Sequence, residues 1–243
     1  MTNPQASVEQ LRKQFGLEAV PESVSRLTKL VAGQDADVEA IGRLVSADKE
    51  LSAALLRAAN PKADGPEDYA FTTVEEALMR TGIRCVLILA MRDPLVRAVI
   101  KMFDTMISAK VQALPARREK ALEGPHILGT IRFAGKANGL VAFRVTPDVG
   151  RFLAGRVLDL PPENIRDVEE VSDVVSELLN MIGGNFNSNL SDAGIPCRLK
   201  PPEMSVCSQY SMLTVPNGAS ERLVFKNDEV QAYVDLSINP WEQ

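Results

Sequence analysis

Residues 167–194, DVEEVSDVVSELLNMIGGNFNSNLSDAG, restrict the fold more than any other stretch. Val171, Val174, Val175, Leu178, Ile182, Phe186 and Leu190 recur at helical spacing and predict one long helix with a wide buried stripe. Asp167 with Glu170 predicts a capping box at its start, and Gly194 predicts a left-handed stop. The opposite face carries Asp173, Glu177, Asn180 and Gly184 at i, i+4, i+7 and i+11, a polar row about 16 Å long. Gly183 and Gly184 each cost a helix about 1 kcal/mol relative to alanine, so they need a reason. Bare backbone beside Asn180, open to close approach by a partner surface, supplies one. The row is the candidate working face.

Ahead of this helix the chain reads in two parts. Residues 1–93 are expected to be all-helical. Val8, Leu11 and Phe15 mark a short first helix, and Pro21 starts a second with Val24, Leu27, Leu30 and Val31 on one side. Val38, Ile41, Leu44 and Val45 mark a third, and Asp48 opens DKELSAALLRAAN, stopped at Asn60-Pro61. After a polar loop holding Gly65, Pro66 and Asp68, Thr73 and Glu76 form a capping box, and Gly82 breaks the chain before IRCVLILAM. Asp93-Pro94 is expected to be a boundary, with a new helix, LVRAVIKMFDTMI, burying Val96, Val99, Ile100, Phe103 and Ile107.

Residues 94–243 form the second predicted domain. ALPARREKALEGP reads as a loop, HILGTIRFAG and GLVAFRVT as a hairpin, and Thr146-Pro147-Asp148 as the start of a helix. Past the long helix come the strands GIPCRL, PEMSVCSQY, RLVFK and VQAYVDLSI. In the last, Val230, Ala232, Val234, Leu236 and Ile238 alternate with polar residues after a turn at Lys226–Glu229, as in a strand with one buried face. The fold class is therefore α+β: an N-terminal helical bundle, then an α/β domain with an antiparallel sheet packed on helices.

Composition excludes several chemistries. His126 is the single histidine, expected on the surface or in a turn, so a histidine-rich metal site cannot be assembled. The three cysteines, Cys85, Cys197 and Cys207, have no paired spacing and read as reduced cytosolic thiols that fill space. A net charge of −5 without a basic stripe argues against nucleic acid as a ligand. The chain has no apolar run of membrane-span length and no signal-peptide core at its start, so the expected location is the cytoplasm. No phosphate-cradling glycine motif occurs.

Two resemblances add to this. VPESVSRLTKLVAGQDADVEAIGRLVSADKELSAALLRAAN and TTVEEALMRTGIRCVLILA are similar to the first helices of HDOD domains, over about residues 8–92. Those domains resemble metal-dependent phosphohydrolases but lack their ligands and act in bacterial signalling as interaction modules. An isolated E-x-x-N on a helix has little specificity. Here Asp173, Glu177, Asn180 and Pro202 make D-x3-E-x2-N-x21-P, the full signature of the CheC–CheX–FliY chemotaxis phosphatases. A single copy resembles CheX, over about residues 94–240.

The resemblance implies a hydrolase acting on the aspartyl phosphate of a CheY-like response regulator. Glu177 would pair with the lysine beside the phosphorylated aspartate, and Asn180 would hold the attacking water in line. Asp173 and Pro202, with Gly183 and Gly184, would support the motif. Mg²⁺ is expected on the regulator, with no cofactor on this chain. A CheX-like homodimer is also implied, with Val230–Ile238 as the exposed edge. The alternative is a non-catalytic module of the same fold that binds or scaffolds a regulator.

Overall fold

The computed structural model describes residues 26–27, 30, 38–60, 71–115, 122–192, 195–210 and 219–238. The helix at Val8–Phe15, the start at Pro21, the loop around Gly65 and the stop at Gly194 lie outside them.

The N-terminal helices are α1 (Val38–Ala47), α2 (Lys49–Ala59) and α3 (Val74–Thr81). Asp48 caps α2 by accepting from the backbone N–H groups of Glu50 and Leu51. Thr73 and Glu76 close the expected capping box on α3, and Gly82, at φ 78°, ends it.

The next helix, α4, runs unbroken from Ile83 to Met102 with Pro94 inside it, then widens into a π-helical segment at Phe103–Ile107. The start predicted at Asp93-Pro94 is thus corrected: both runs belong to one helix. Proline removes one helical hydrogen bond, and tertiary packing outweighs that loss. Val86, Leu87, Ile88, Met91, Leu95, Val99 and Met102 are all buried, because α4 packs on α2 and α3 to one side and on the sheet and the long helix to the other. Ile100, expected inside, is exposed.

Among the described residues the second part is a seven-stranded sheet of β1 (Gln112–Pro115), β2 (Leu122–Gly135), β3 (Gly139–Val145), β4 (Cys197–Leu199), β5 (Glu203–Tyr210), β6 (Ala219–Lys226) and β7 (Gln231–Ile238). The order is β1-β6-β7-β3-β2-β4, with β5 also on β2 and every pairing antiparallel. Helices α5 (Pro147–Leu158) and α6 (Val168–Asp192) pack on it. The stretch 113–125, read as a loop, contributes β1 and the first residues of β2.

Strand β7 lies between β6 and β3, so it is not an exposed edge. Its second face is open to water only at its start, where Gln231 is exposed; further along, Asp235 and Ser237 are buried. Asp235 tolerates burial through a two-bond pairing with buried Arg222, at 2.7 and 2.8 Å.

His126 is also a correction. It is buried in β2, with Nδ1 2.8 Å from the Gly124 carbonyl oxygen. Burial lowers its pKa; Arg144 acts the same way, against the Gly124 hydrogen bond. Cys85, Cys197 and Cys207 are half-buried and form no disulfide among the described residues. Among the described residues no helix is long and apolar enough to cross a membrane.

Candidate functional site

Helix α6 is held from beneath by its apolar stripe. Val171, Val174, Val175, Leu178, Leu179, Ile182, Phe186 and Leu190 are buried against β2, β4, α4 and α5. Phe186 meets Phe133 of β2 edge-on, with ring centroids 5.8 Å apart. Three glycines let the layers close on one another. A Cβ on Gly129 of β2 would lie 2.8 Å from Leu179, and one on Gly150 of α5 would lie 2.8 Å from Val171. One on Gly183 would lie 2.7 Å from Ile131. Sequence reasoning missed Gly129 and Gly150 as packing residues; two glycines opposite an apolar helical stripe were the available signal.

The cap on α6 is simpler than the predicted box. Asp167 accepts from the backbone N–H of Glu169, the second helical residue, at 2.9 Å. The far end is tied to α4: Asn189 Nδ2 donates to the Pro94 carbonyl at 3.0 Å.

The upper face carries the predicted row. Asp173, Glu177, Asn180 and Gly184 are all exposed. Asn180 Nδ2 stands 3.5 Å from Glu177 Oε2, the outer limit of a hydrogen bond, so the carboxamide is only loosely held. Gly183 does not join them: it faces Ile131, and its bare backbone serves the sheet rather than a partner. Pro202 is half-buried in the short link between β4 and β5, and α6 packs on both strands.

Charge on α6 has one sign. Glu169, Glu170, Asp173, Glu177 and Asp192 are exposed, and the helix contains no lysine or arginine. Such a face attracts a cationic surface. A cleft of about 580 Å³ lies between α2 and α4 and another of about 610 Å³ beside the end of α5, and no α6 residue lines either of these two. Among the described residues no group of three His, Cys, Asp or Glu is arranged to hold a metal ion.

Residues 127–226 match the family model of the chemotaxis phosphatase CheX, and residues 17–111 match that of the HDOD domain. The chain is HDOD-like in its first part and CheX-like in its second. The HDOD match runs past Pro94, as α4 itself does. No curated protein matches the chain.

Solved CheX structures share the fold. The chemotaxis protein CheX of Desulfovibrio desulfuricans is 20% identical, with 61% of this chain and 98% of that one covered and a TM-score of 0.52. CheX of Vibrio vulnificus is 18% identical, with coverages of 61% and 98% and a TM-score of 0.54. CheX of Borrelia burgdorferi, solved in complex with CheY, BeF3 and Mg²⁺, is 17% identical, with coverages of 62% and 98% and a TM-score of 0.51.

Proposed function

We propose that this chain hydrolyses the aspartyl phosphate of a CheY-like response regulator, in chemotaxis or a related two-component pathway of the cytoplasm. One observation carries the reading: Glu177 and Asn180 stand side by side on the exposed face of a helix with no cation of its own. The CheX-like fold, and a CheX of that fold solved bound to CheY, support it.

Glu177 anchors the complex by pairing with the lysine beside the regulator's phosphoaspartate. Asn180, one turn on, enters the regulator's site. Its carboxamide both donates and accepts, which suits it to hold a water in line with the phosphorus without adding negative charge. The water's oxygen forms the new bond to phosphorus, and the bond from phosphorus to the aspartyl oxygen breaks. The regulator's carboxylate leaves with that electron pair, and the water's protons go to the released phosphate and solvent. The transition state is loose, so positioning and charge stabilisation dominate. The Mg²⁺ is the regulator's. Asp173 and Pro202 shape the motif without reacting.

A sheet edge offers a route to a homodimer. Strand β5 pairs only with β2 among the described strands, and Ser205, Val206 and Ser208 on it are exposed. Light scattering at micromolar concentration tests this, and a monomer removes it without touching the chemistry.

The deciding experiment is phosphate release from a panel of phosphorylated CheY-like receiver domains. Acceleration over the receivers' own rates is expected for at least one. Tight binding without acceleration makes the chain a scaffolding module; neither binding nor acceleration by any receiver ends the reading.

A further inference from the structure

The two adjacent glycines of α6 have different causes. Gly183 is required from within, since any Cβ runs into Ile131. Gly184 is not. A Cβ there meets no heavy atom within 4 Å, and its φ lies outside the left-handed region. Neither packing nor backbone conformation within the chain demands glycine at that position. Yet glycine in a helix interior is less favourable than alanine.

Its place on the helix supplies the missing cause. Gly184 is exposed on the same row as Glu177 and Asn180, four residues beyond Asn180, about 6 Å along the axis. Asparagine has a short side chain. A carboxamide that must reach a phosphoryl group inside another protein brings its own helix backbone down onto that protein's surface. The turn following Asn180 is then the part that touches, and only glycine offers a backbone without a side chain in the way.

We propose that Gly184 is where the response regulator makes its closest approach to α6, and that the missing side chain sets how deep Asn180 enters. This rests on the phosphatase reading and adds a positioning residue to it. On this cation-free helix Glu177 supplies the charge complementarity for the lysine beside the regulator's phosphoaspartate.

The test is a graded series on the full chain, Gly184→Ala and Gly184→Leu, with Gly184→Ser as a polar control of intermediate size. Because a side chain at this site points into open space, all three should fold, with melting temperatures equal to or above the parent's. Phosphate release from a receiver domain active with the parent should fall roughly tenfold for alanine and roughly a hundredfold for leucine, the latter a typical result of a 1 Å misplacement. Affinity for the beryllofluoride-activated receiver should weaken in the same order. Folded variants that keep the parent's turnover and affinity overturn the close approach and leave the phosphatase reading standing. A parent chain that neither binds nor dephosphorylates any receiver overturns both.

Discussion

On the inner side of α6, Val175, Ile182, Phe186 and Leu190 are sealed against the sheet, and one carbon added at Gly183 meets Ile131 at 2.7 Å. On the outer side Asp173, Glu177, Asn180 and Gly184 are exposed, and one carbon added at Gly184 meets nothing within 4 Å. The inner side is fixed by what this chain packs against itself. The outer side has no such constraint, so its residue choices must be explained by something outside the chain. Substitutions on the two sides should therefore fail in different assays.

The largest effect belongs to the inner side. Phe186→Ala deletes a fully buried ring packed edge-on to Phe133 and should cost about 3–5 kcal/mol in chemical denaturation. If it instead leaves stability unchanged and removes only turnover, the contrast between the faces collapses. Asn180→Ala should do the reverse. The kcat should fall roughly a hundredfold, like loss of one transition-state hydrogen-bond donor, with stability within about 0.5 kcal/mol of the parent. Asn180→Asp should be as slow and bind less well, since it carries a negative charge toward phosphate.

Glu177→Ala should raise KM for the phosphorylated regulator, by about 1–3 kcal/mol, with kcat much less affected. Titration calorimetry at two salt concentrations checks that this is a charge effect, because the parent's affinity should be the more salt-sensitive. The smallest effect is expected where α6 meets α4. Asn189→Ala removes one bond to the Pro94 carbonyl and should cost about 0.5–1.5 kcal/mol, read as a shift in the denaturation midpoint.

Much of this was legible in the sequence because it is local. The stripe of α6, the box on α3, the β2–β3 hairpin and the turn before β7 each depend on residues a few positions apart, and each formed where expected. The exposed row of α6 was legible for the same reason. What escaped depends on distant partners. Pro94 looks like a helix start until Asn189 and the packing on both sides of α4 are known. Strand β7 looks like an edge until β3 and β6 are seen to flank it. Asp235 looks solvent-facing until Arg222 is found beside it. Gly183 and Gly184 are indistinguishable as letters, and only the position of Ile131 separates them.

Strand β1 follows closely after α4, but its partner is β6, with Gln112 opposite Lys226. A ribosome adding about 5–20 residues per second needs on the order of ten seconds to cover that distance. Helix α4, which rests on β6 and β7 in the finished protein, leaves the ribosome well before either strand. During that interval its sheet-facing side lacks β6 and β7, whereas its other side already has α2 and α3. The N-terminal helices thus give the nascent chain an early place to hold α4, and a variant lacking them should yield more aggregate during synthesis than its equilibrium stability alone would explain.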